Sequence, residues 1–202
     1  MRFASLSTAI VLASWVLASC ESIKATESRS AGTDVRNAAA LPKSWEEFAR
    51  RIEALGLPGT WTSRGETPDI FAGIPAGLEY RWTYSFEFSG DRLSVFESHT
   101  ALLEDGRLLS AGAGVITWDD ATGTVVATAS GFDNGQRFVG ESTLKAIDAT
   151  TVSFDHVERV GGSALEIVRG FRRMGPDRLE SFVRVEAGGK AWITVFTRRP
   201  RG

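Results

Sequence analysis

The feature that most constrains this chain is a stretch without proline, residues 76–175; all 6 prolines lie outside it. Proline removes a hydrogen-bond donor from a β-ladder, so its absence over this length favours continuous strand pairing. Turn signals rich in Gly, Asn and Asp, which tolerate the positive φ of tight hairpins, recur at near-regular intervals in and just beyond the stretch. They are Ser89–Asp91, Glu104–Gly106, Asp119–Gly123, Asp133–Gly135, Asp148–Ala149, Gly161–Gly162, Gly175–Asp177 and Gly188–Gly189. The pattern predicts a series of consecutive hairpins.

These eight turns separate nine runs, and a further run at 59–64 makes ten predicted strands. Consecutive hairpins give an antiparallel meander. Ten long strands in an open sheet would leave two exposed edges, and closure into a barrel removes them. The sequence therefore predicts an all-β fold, an antiparallel up-and-down β-barrel of about ten strands with one N-terminal helix.

Side chains alternate between the two faces of a strand, so parity predicts which residues point inward. Over 79–88 the aromatic residues occupy one face and the charged or hydroxylated residues the other. The runs 92–103, 107–118 and 164–174 are apolar on both faces in places, and parity does not orient them. The residues predicted to line a ligand cavity are Tyr80, Trp82, Tyr84, Phe138, Phe154, His156, Glu158 and Trp192.

A ten-stranded barrel is wide enough to enclose a small ligand, and ligand cavities are mostly apolar with a few polar groups. An aromatic inner face with a few polar residues fits that description. The alternative is a filled barrel in which the aromatic rings touch one another.

His156 and Glu158 are the weak catalytic candidates, because they share a face at i, i+2. Together they could orient a polar group of a ligand or act as acid and base. Arg172 could join them from a neighbouring strand, whereas Asp155 points to the opposite face. The alternative is a buried, satisfied His–Glu–Arg network that only holds strands together.

The N-terminal residues 1–19 have the pattern of a secretory signal: Arg2, an apolar run, and small residues before Cys20. Leu17 to Cys20 resembles the lipobox of bacterial lipoproteins. That resemblance implies that Cys20, the chain's 1 cysteine, is the lipidated mature N-terminus. Glu21, rather than Asp, then favours the outer membrane, with the domain facing the periplasm. An ordinary cleaved signal or an uncleaved anchor is the alternative.

Two segments follow the signal, a predicted flexible tether over 20–41 and a predicted amphipathic helix over 42–56. Ser44 and Glu47 have the spacing of a capping box. Apolar residues at Trp45, Phe48, Ile52 and Leu55 share one helical face, and Gly56 can end the helix. The helix either covers the mouth of a cavity or simply packs on the barrel.

Residues 57–200, the predicted barrel, resemble the calycin superfamily of lipocalin and fatty-acid-binding-protein barrels. The resemblance starts from Gly59-Thr60-Trp61 on the first strand and from Arg198 and Arg199 at the end of the last. It implies that Trp61 packs against Arg198 or Arg199 and closes one end of the barrel. Further runs are similar to uncharacterised bacterial lipocalin-like domains, namely Arg81-Trp82, Gly114–Asp119, Asp133–Gly135 and Gly189–Trp192.

Composition excludes several other classes of function. With 23 basic and 25 acidic residues, no electrostatic case exists for a nucleic-acid partner. Only 2 histidines are present, so no metal site is predicted, and no cofactor motif or nucleophile elbow is found.

The leading hypothesis is therefore a membrane-anchored lipoprotein of the periplasm whose barrel binds a fatty acid, another lipid or an apolar metabolite. A barrel enzyme, an isomerase or hydrolase using His156 and Glu158, is the second hypothesis. A non-catalytic structural or assembly lipoprotein of the envelope is the third. The oligomeric state is left open.

Overall fold

The computed structural model describes residues 40–67, 75–133, 135–185 and 191–200. The predicted signal peptide, Cys20 and nearly all of the predicted tether lie outside the described residues, as does the predicted turn at Gly188–Gly189. One helix, α1 (Trp45–Leu55), precedes ten strands. The strands are β1 (Gly59–Glu66), β2 (Glu79–Phe88), β3 (Ser94–Leu103), β4 (Leu108–Asp119), β5 (Thr124–Asp133), β6 (Gln136–Ile147), β7 (Thr151–Val160), β8 (Ser163–Gly175), β9 (Arg178–Val185) and β10 (Ala191–Arg198).

The ten strands form a closed barrel in which each strand pairs with its neighbours in sequence and β1 pairs with β10. Every pairing is antiparallel. The predicted fold class, including the strand number and the single helix, is confirmed. Closure leaves no unpaired edge, which is the physical reason for expecting a barrel from so long a meander.

Parity describes the inner face of the barrel correctly where the sequence alternates clearly. On β2, Tyr80, Tyr84 and Phe86 are buried, whereas Glu79 and Glu87 are exposed. Strand β3, which the sequence left unoriented, alternates just as strictly. Its inward residues include Val95, Glu97, Ala101 and Leu103, all buried.

Helix α1 begins at the Ser44 cap, whose Oγ accepts a hydrogen bond of 3.3 Å from the Glu47 backbone N–H. It ends at Gly56, which has φ of 76°, a left-handed conformation that costs glycine little. Its apolar face packs into the main barrel core, which contains Trp61 and Phe86. Among the described helical residues, none forms a segment long and apolar enough to cross a membrane.

Helix α1 closes the end of the barrel where the β2–β3 and β8–β9 turns lie. Trp45 Nε1 donates to the Arg92 carbonyl across 2.5 Å, and Arg173 Nη1 donates to the Ala54 carbonyl across 3.0 Å. Arg92 Nη2 also lies 2.6 Å from Glu53 Oε1. The helix is thus a packed plug at the end of the barrel that contains the main core. We therefore expect a cavity inside the barrel to lie toward the other end.

Candidate functional site

The barrel interior contains a cavity of about 150 Å³. Its lining comes from β2 to β10, mainly from the strand segments on the side away from α1. The lining residues are Trp82, Tyr84, Glu97, His99, Ser110, Gly112, Ala113, Ala129, Asp133, Phe138, His156, Glu158, Ile167, Arg169, Gly170, Phe171, Ser181, Val183 and Trp192. The lining combines aromatic rings with ionisable groups, so it is less purely apolar than the sequence suggests.

Of the eight residues predicted to line the cavity, the structure places six there: Trp82, Tyr84, Phe138, His156, Glu158 and Trp192. Tyr80 packs instead in a small separate cluster with Leu103 and Leu109. Phe154 belongs to the main core, where the guanidinium carbon of Arg169 lies 5.8 Å from its ring centroid.

An ion pair that the sequence did not predict lies between the main core and the cavity. Arg169 Nη2 and Nη1 donate to Glu97 Oε1 and Oε2 across 2.8 and 3.3 Å, in a bidentate arrangement. The Tyr84 hydroxyl donates to Glu97 Oε2 across 3.3 Å. Burial, followed by the charge of Glu97, raises the pKa of Tyr84, so the phenol stays protonated. Burial alone would lower the pKa of Arg169, but the combined effects of Glu97 and Tyr84, through charge and hydrogen bonds, outweigh it and the net shift is upward.

His156 is held between β6 and β7. Its Nδ1 lies 2.8 Å from Ser142 Oγ, and its Nε2 lies 3.7 Å from Glu158 Oε2, beyond hydrogen-bond distance. Arg169 Nε donates to the same Ser142 Oγ across 3.3 Å. Ser142 is the residue that opposes His156 on β6, and Gly140, two residues earlier, pairs with Glu158; an added Cβ at Gly140 would collide with the imidazole of His156. Gly140 therefore provides the space that the imidazole of His156 occupies.

His99 and Asp133 form a second polar group, joined through Ser110. His99 Nε2 lies 2.9 Å from Ser110 Oγ. Burial lowers the pKa of His99 to about 4, so the ring is neutral at physiological pH. Burial, followed by repulsion from Glu158, raises the pKa of Asp133 to about 6, and a hydrogen bond with Ser110 partly offsets this rise. At neutral pH Asp133 is therefore mostly ionised, at a cost that a cation beside it would reduce.

Aromatic rings form the rest of the cavity wall. The centroids of Trp82 and Trp192 are 5.2 Å apart at 45°, and Trp82 lies 6.0 Å from His99. His99 stacks on Phe138 at 6.3 Å and 14°. The buried Nε1 of Trp82 has no hydrogen-bond partner among the described residues. A buried donor without a partner is costly to stability.

The expectation that Arg172 joins His156 and Glu158 is wrong. Arg172 lies 3.5 Å from Glu180 on the neighbouring strand, and its side chain is 43 % exposed. Strand β8 instead turns Arg169 inward. Of the ionisable residues that the sequence missed, Glu97, His99 and Arg169 lie on strands that it left unoriented, and Asp133 lies at the end of β5, where the sequence predicted a turn.

A signal for two of these residues is present in the β2–β3 turn. The short connection after Phe88 pairs Phe88 with Val95, and this register places His99 opposite Tyr84 and Glu97 opposite Phe86. Paired residues point to the same face of a sheet. The inward face of β2, carried across the turn, would therefore have placed both residues in the interior.

At the helix end, the guanidinium carbon of Arg198 lies 4.1 Å from the ring centroid of Trp61. Arg198 Nη1 also donates to the Pro58 carbonyl across 2.9 Å, and Nη2 donates to the Gly56 carbonyl. Arg199, the other candidate, is exposed and uses its backbone N–H to bond Thr60. The contact with Trp61 is thus made by Arg198.

Possible metal ligands are not clustered in the described part of the chain. Among the residues that the structure describes, no three His, Cys, Asp or Glu side chains are grouped so that they could hold a metal ion.

The fold and the cavity together define a class: a closed ten-stranded antiparallel barrel that could bind a small ligand. No family model matches the chain, and no curated protein matches it. Among solved structures it is similar to a de novo designed fluorescence-activating β-barrel, with a TM-score of 0.33 and 20% identity over 72% of this chain and 97% of the designed one. A similarity this low supports no argument, so the description of the barrel rests on its own strand pairing.

Proposed function

We propose that this chain is a lipid-anchored protein of the bacterial envelope, with a calycin-like barrel that binds a small molecule on its periplasmic side. The observation that carries the binding role is the cavity of about 150 Å³, lined by aromatic rings and ionisable groups. One lining residue, Trp82, also has a buried Nε1 without a hydrogen-bond partner among the described residues, which is uncommon in native interiors. The Trp61–Arg198 contact supports the calycin-like assignment.

The volume narrows the kind of ligand. Pockets for drug-sized molecules span roughly 300–1,000 Å³, and this cavity is well below that range. A protein cavity of about 150 Å³ accommodates one benzene-sized ring. A compact metabolite therefore fits better than a long-chain fatty acid.

The test of binding is native mass spectrometry of the full chain, purified from membranes in detergent, for a small co-purifying mass. Val183 lines the cavity, so Val183→Phe should fill it and abolish the added mass. Val139, 46% exposed, provides the matched control Val139→Phe, which should keep the mass. If Val183→Phe does not fold, Trp82→Phe serves instead, since it removes only the free donor and part of the ring. Binding that survives both variants would show that the ligand lies elsewhere.

The anchoring is supported by residues 1–20, where a signal-like run ends in Leu17-Ala18-Ser19-Cys20. Metabolic labelling with radioactive palmitate in a Gram-negative host tests it. The wild-type chain should carry label and sediment with outer membranes, and Cys20→Ser should carry none. Label retained by Cys20→Ser would overturn the lipoprotein assignment.

An acid–base enzyme is the second candidate, because His156 and Glu158 both line the cavity. Ser142, which contacts His156, is buried and is not part of the cavity lining, so it is poorly placed as a nucleophile. Under this alternative a bound ligand would be released chemically altered, and His156→Gln would stop the conversion without stopping binding.

A further inference from the structure

The cavity contains more negative than positive groups. Three carboxylates line it, those of Glu97, Asp133 and Glu158, and Arg169 is the one Arg or Lys among the described lining residues. The bidentate contact of Arg169 with Glu97 compensates one carboxylate. Even with a proton on His156, the count leaves one negative charge in excess. A ligand that restores neutrality would be a cation.

Two of these carboxylates, Glu158 and Asp133, can accept further hydrogen bonds. Glu158 Oε2 lies 3.7 Å from His156 Nε2, too far for a hydrogen bond, and the Glu158 side chain is 25% exposed. Asp133 bonds Ser110. A carboxylate offers about four acceptor positions, so one such contact leaves it far from saturated. Both groups can therefore accept hydrogen bonds from an ammonium ion.

The aromatic part of the lining favours the same charge. Trp82, Trp192 and Phe138 line the cavity, and the face of an aromatic ring attracts cations. The same faces can stack on a flat ligand ring at offset or tilted angles. The lining thus combines a surface for a ring with acceptors for an ammonium group.

We propose that the cavity binds a protonated amine carried on a single aromatic ring, with the ammonium group at Asp133 and Glu158 and the ring among Trp82, Phe138 and Trp192. This inference rests on the proposed binding function and specifies its ligand class.

The titration of Asp133 supports this inference. Its carboxyl bonds Ser110 from β4 and is repelled by Glu158 from β7, and His99 from β3 and His156 from β7 line the same cavity. Burial and the charge of Glu158 raise the pKa of Asp133 to about 6. A bound ammonium group would favour the ionised carboxylate and lower that pKa. Affinity for an amine should therefore increase as the pH rises from 5 to 7.

The test compares three probes of nearly equal shape, benzylamine, benzyl alcohol and benzoate, on the purified full chain. Quenching of tryptophan fluorescence and titration calorimetry measure binding. Benzylamine should bind at least about tenfold more tightly than benzyl alcohol, and benzoate most weakly, since opposite charges attract and like charges repel strongly at a partly buried site. Equal binding of the amine and the alcohol would overturn the charge assignment while leaving the binding role intact.

Isosteric variants locate the charge contact. Asp133→Asn and Glu158→Gln should each weaken benzylamine by about tenfold and change benzyl alcohol by less than about twofold. The control is Asp155→Asn, an exposed carboxylate on β7 that pairs with Lys145 on the outer surface, and it should change neither probe. Unchanged amine affinity in both cavity variants would contradict the inference. If none of the three probes binds and no small mass co-purifies, the proposed function fails together with it.

Discussion

The two halves of the barrel interior are built from the same ten strands, yet they contain different kinds of side chain. The half next to α1 is filled by apolar side chains such as Trp61, Phe86 and Phe196, each about 1% exposed. The other half contains the ionisable groups and the cavity. The ion pair of Glu97 and Arg169 lies where the two halves meet.

The apolar half of the interior serves stability, whereas the polar half has features that stability alone does not require. Burial of apolar side chains in the half next to α1 stabilises the barrel, at about 25 cal/mol per Å² of apolar surface. The polar half places charges in a low-dielectric environment, which is costly unless each charge finds a partner. Glu97 and Arg169 find one another, whereas Asp133 and the Trp82 N–H are left incompletely satisfied. That difference makes the polar half the candidate site.

The largest loss of unfolding free energy should come from Arg169→Met, which removes the ion pair between the two halves. The change leaves Glu97 buried without its partner, and such losses amount to about 3–5 kcal/mol of unfolding free energy. Urea denaturation measures it.

The matched control is Arg172→Met on the same strand, whose side chain is 43% exposed beside Glu180. Its cost should stay within about 1 kcal/mol. The double variant Glu97→Leu/Arg169→Met should recover much of the lost stability, because no lone charge remains. If Arg169→Met and Arg172→Met lowered the unfolding free energy equally, the buried pair of Glu97 and Arg169 would stabilise the barrel no more than an exposed ion pair does.

A smaller effect is expected inside the polar half from Gly140→Ala. The new methyl group would collide with the His156 ring, and overpacking of this kind costs about 1–3 kcal/mol. Gly90→Ala, where no atom lies within 4 Å of the added group, is the control and should change thermal stability little. A tolerated alanine at 140 with the His156 NMR signals unmoved would show that the wall is looser than this packing indicates.

The fold could be predicted from sequence because its signals are local. Turn residues, strand alternation on β2 and the Ser44 cap each act within a few residues, and together they specify a closed meander. The polar site could be predicted only in part. His156 and Glu158 share one alternating strand, but Glu97 meets Arg169 across 72 positions of sequence.

The division of the interior into a filled half and a cavity was not predictable by the same reasoning. Parity reports which side chains point inward, but not whether the inward volumes fill the space between opposite walls. Small residues on β4 to β6, including Gly112 and Gly140, face large ones from other strands. Only the three-dimensional register shows how much space their combination leaves.

At the closed end, Arg198→Met should cost about 1–2 kcal/mol. It removes the cation–π contact with Trp61 and the hydrogen bonds to the Pro58 and Gly56 carbonyls. Arg199→Met, one residue later and exposed, should be nearly neutral. Chemical denaturation compares the two, and ligand affinity should not change in either. A loss of affinity in Arg198→Met would mean that the two halves are coupled.

The smallest effect concerns pH, where His99 and Asp133 act in opposite directions. The folded-state pKa of Asp133 is raised to about 6, so its contribution to stability is full at low pH and is lost as pH rises through 6. The folded-state pKa of His99 is lowered to about 4, so its contribution is present above the unfolded value of 6.5 and is lost as pH falls toward 4. Between pH 5 and 7 the two contributions oppose each other, each by about 1 kcal/mol.

Asp133→Asn should therefore increase the gain in unfolding free energy from pH 5 to pH 7, and His99→Gln should decrease it. Each variant measured at both pH values is its own control for the cost of the substitution. If neither variant changes the pH dependence, these two groups are not titrating in the polar half, and the contrast between the halves would be one of packing alone.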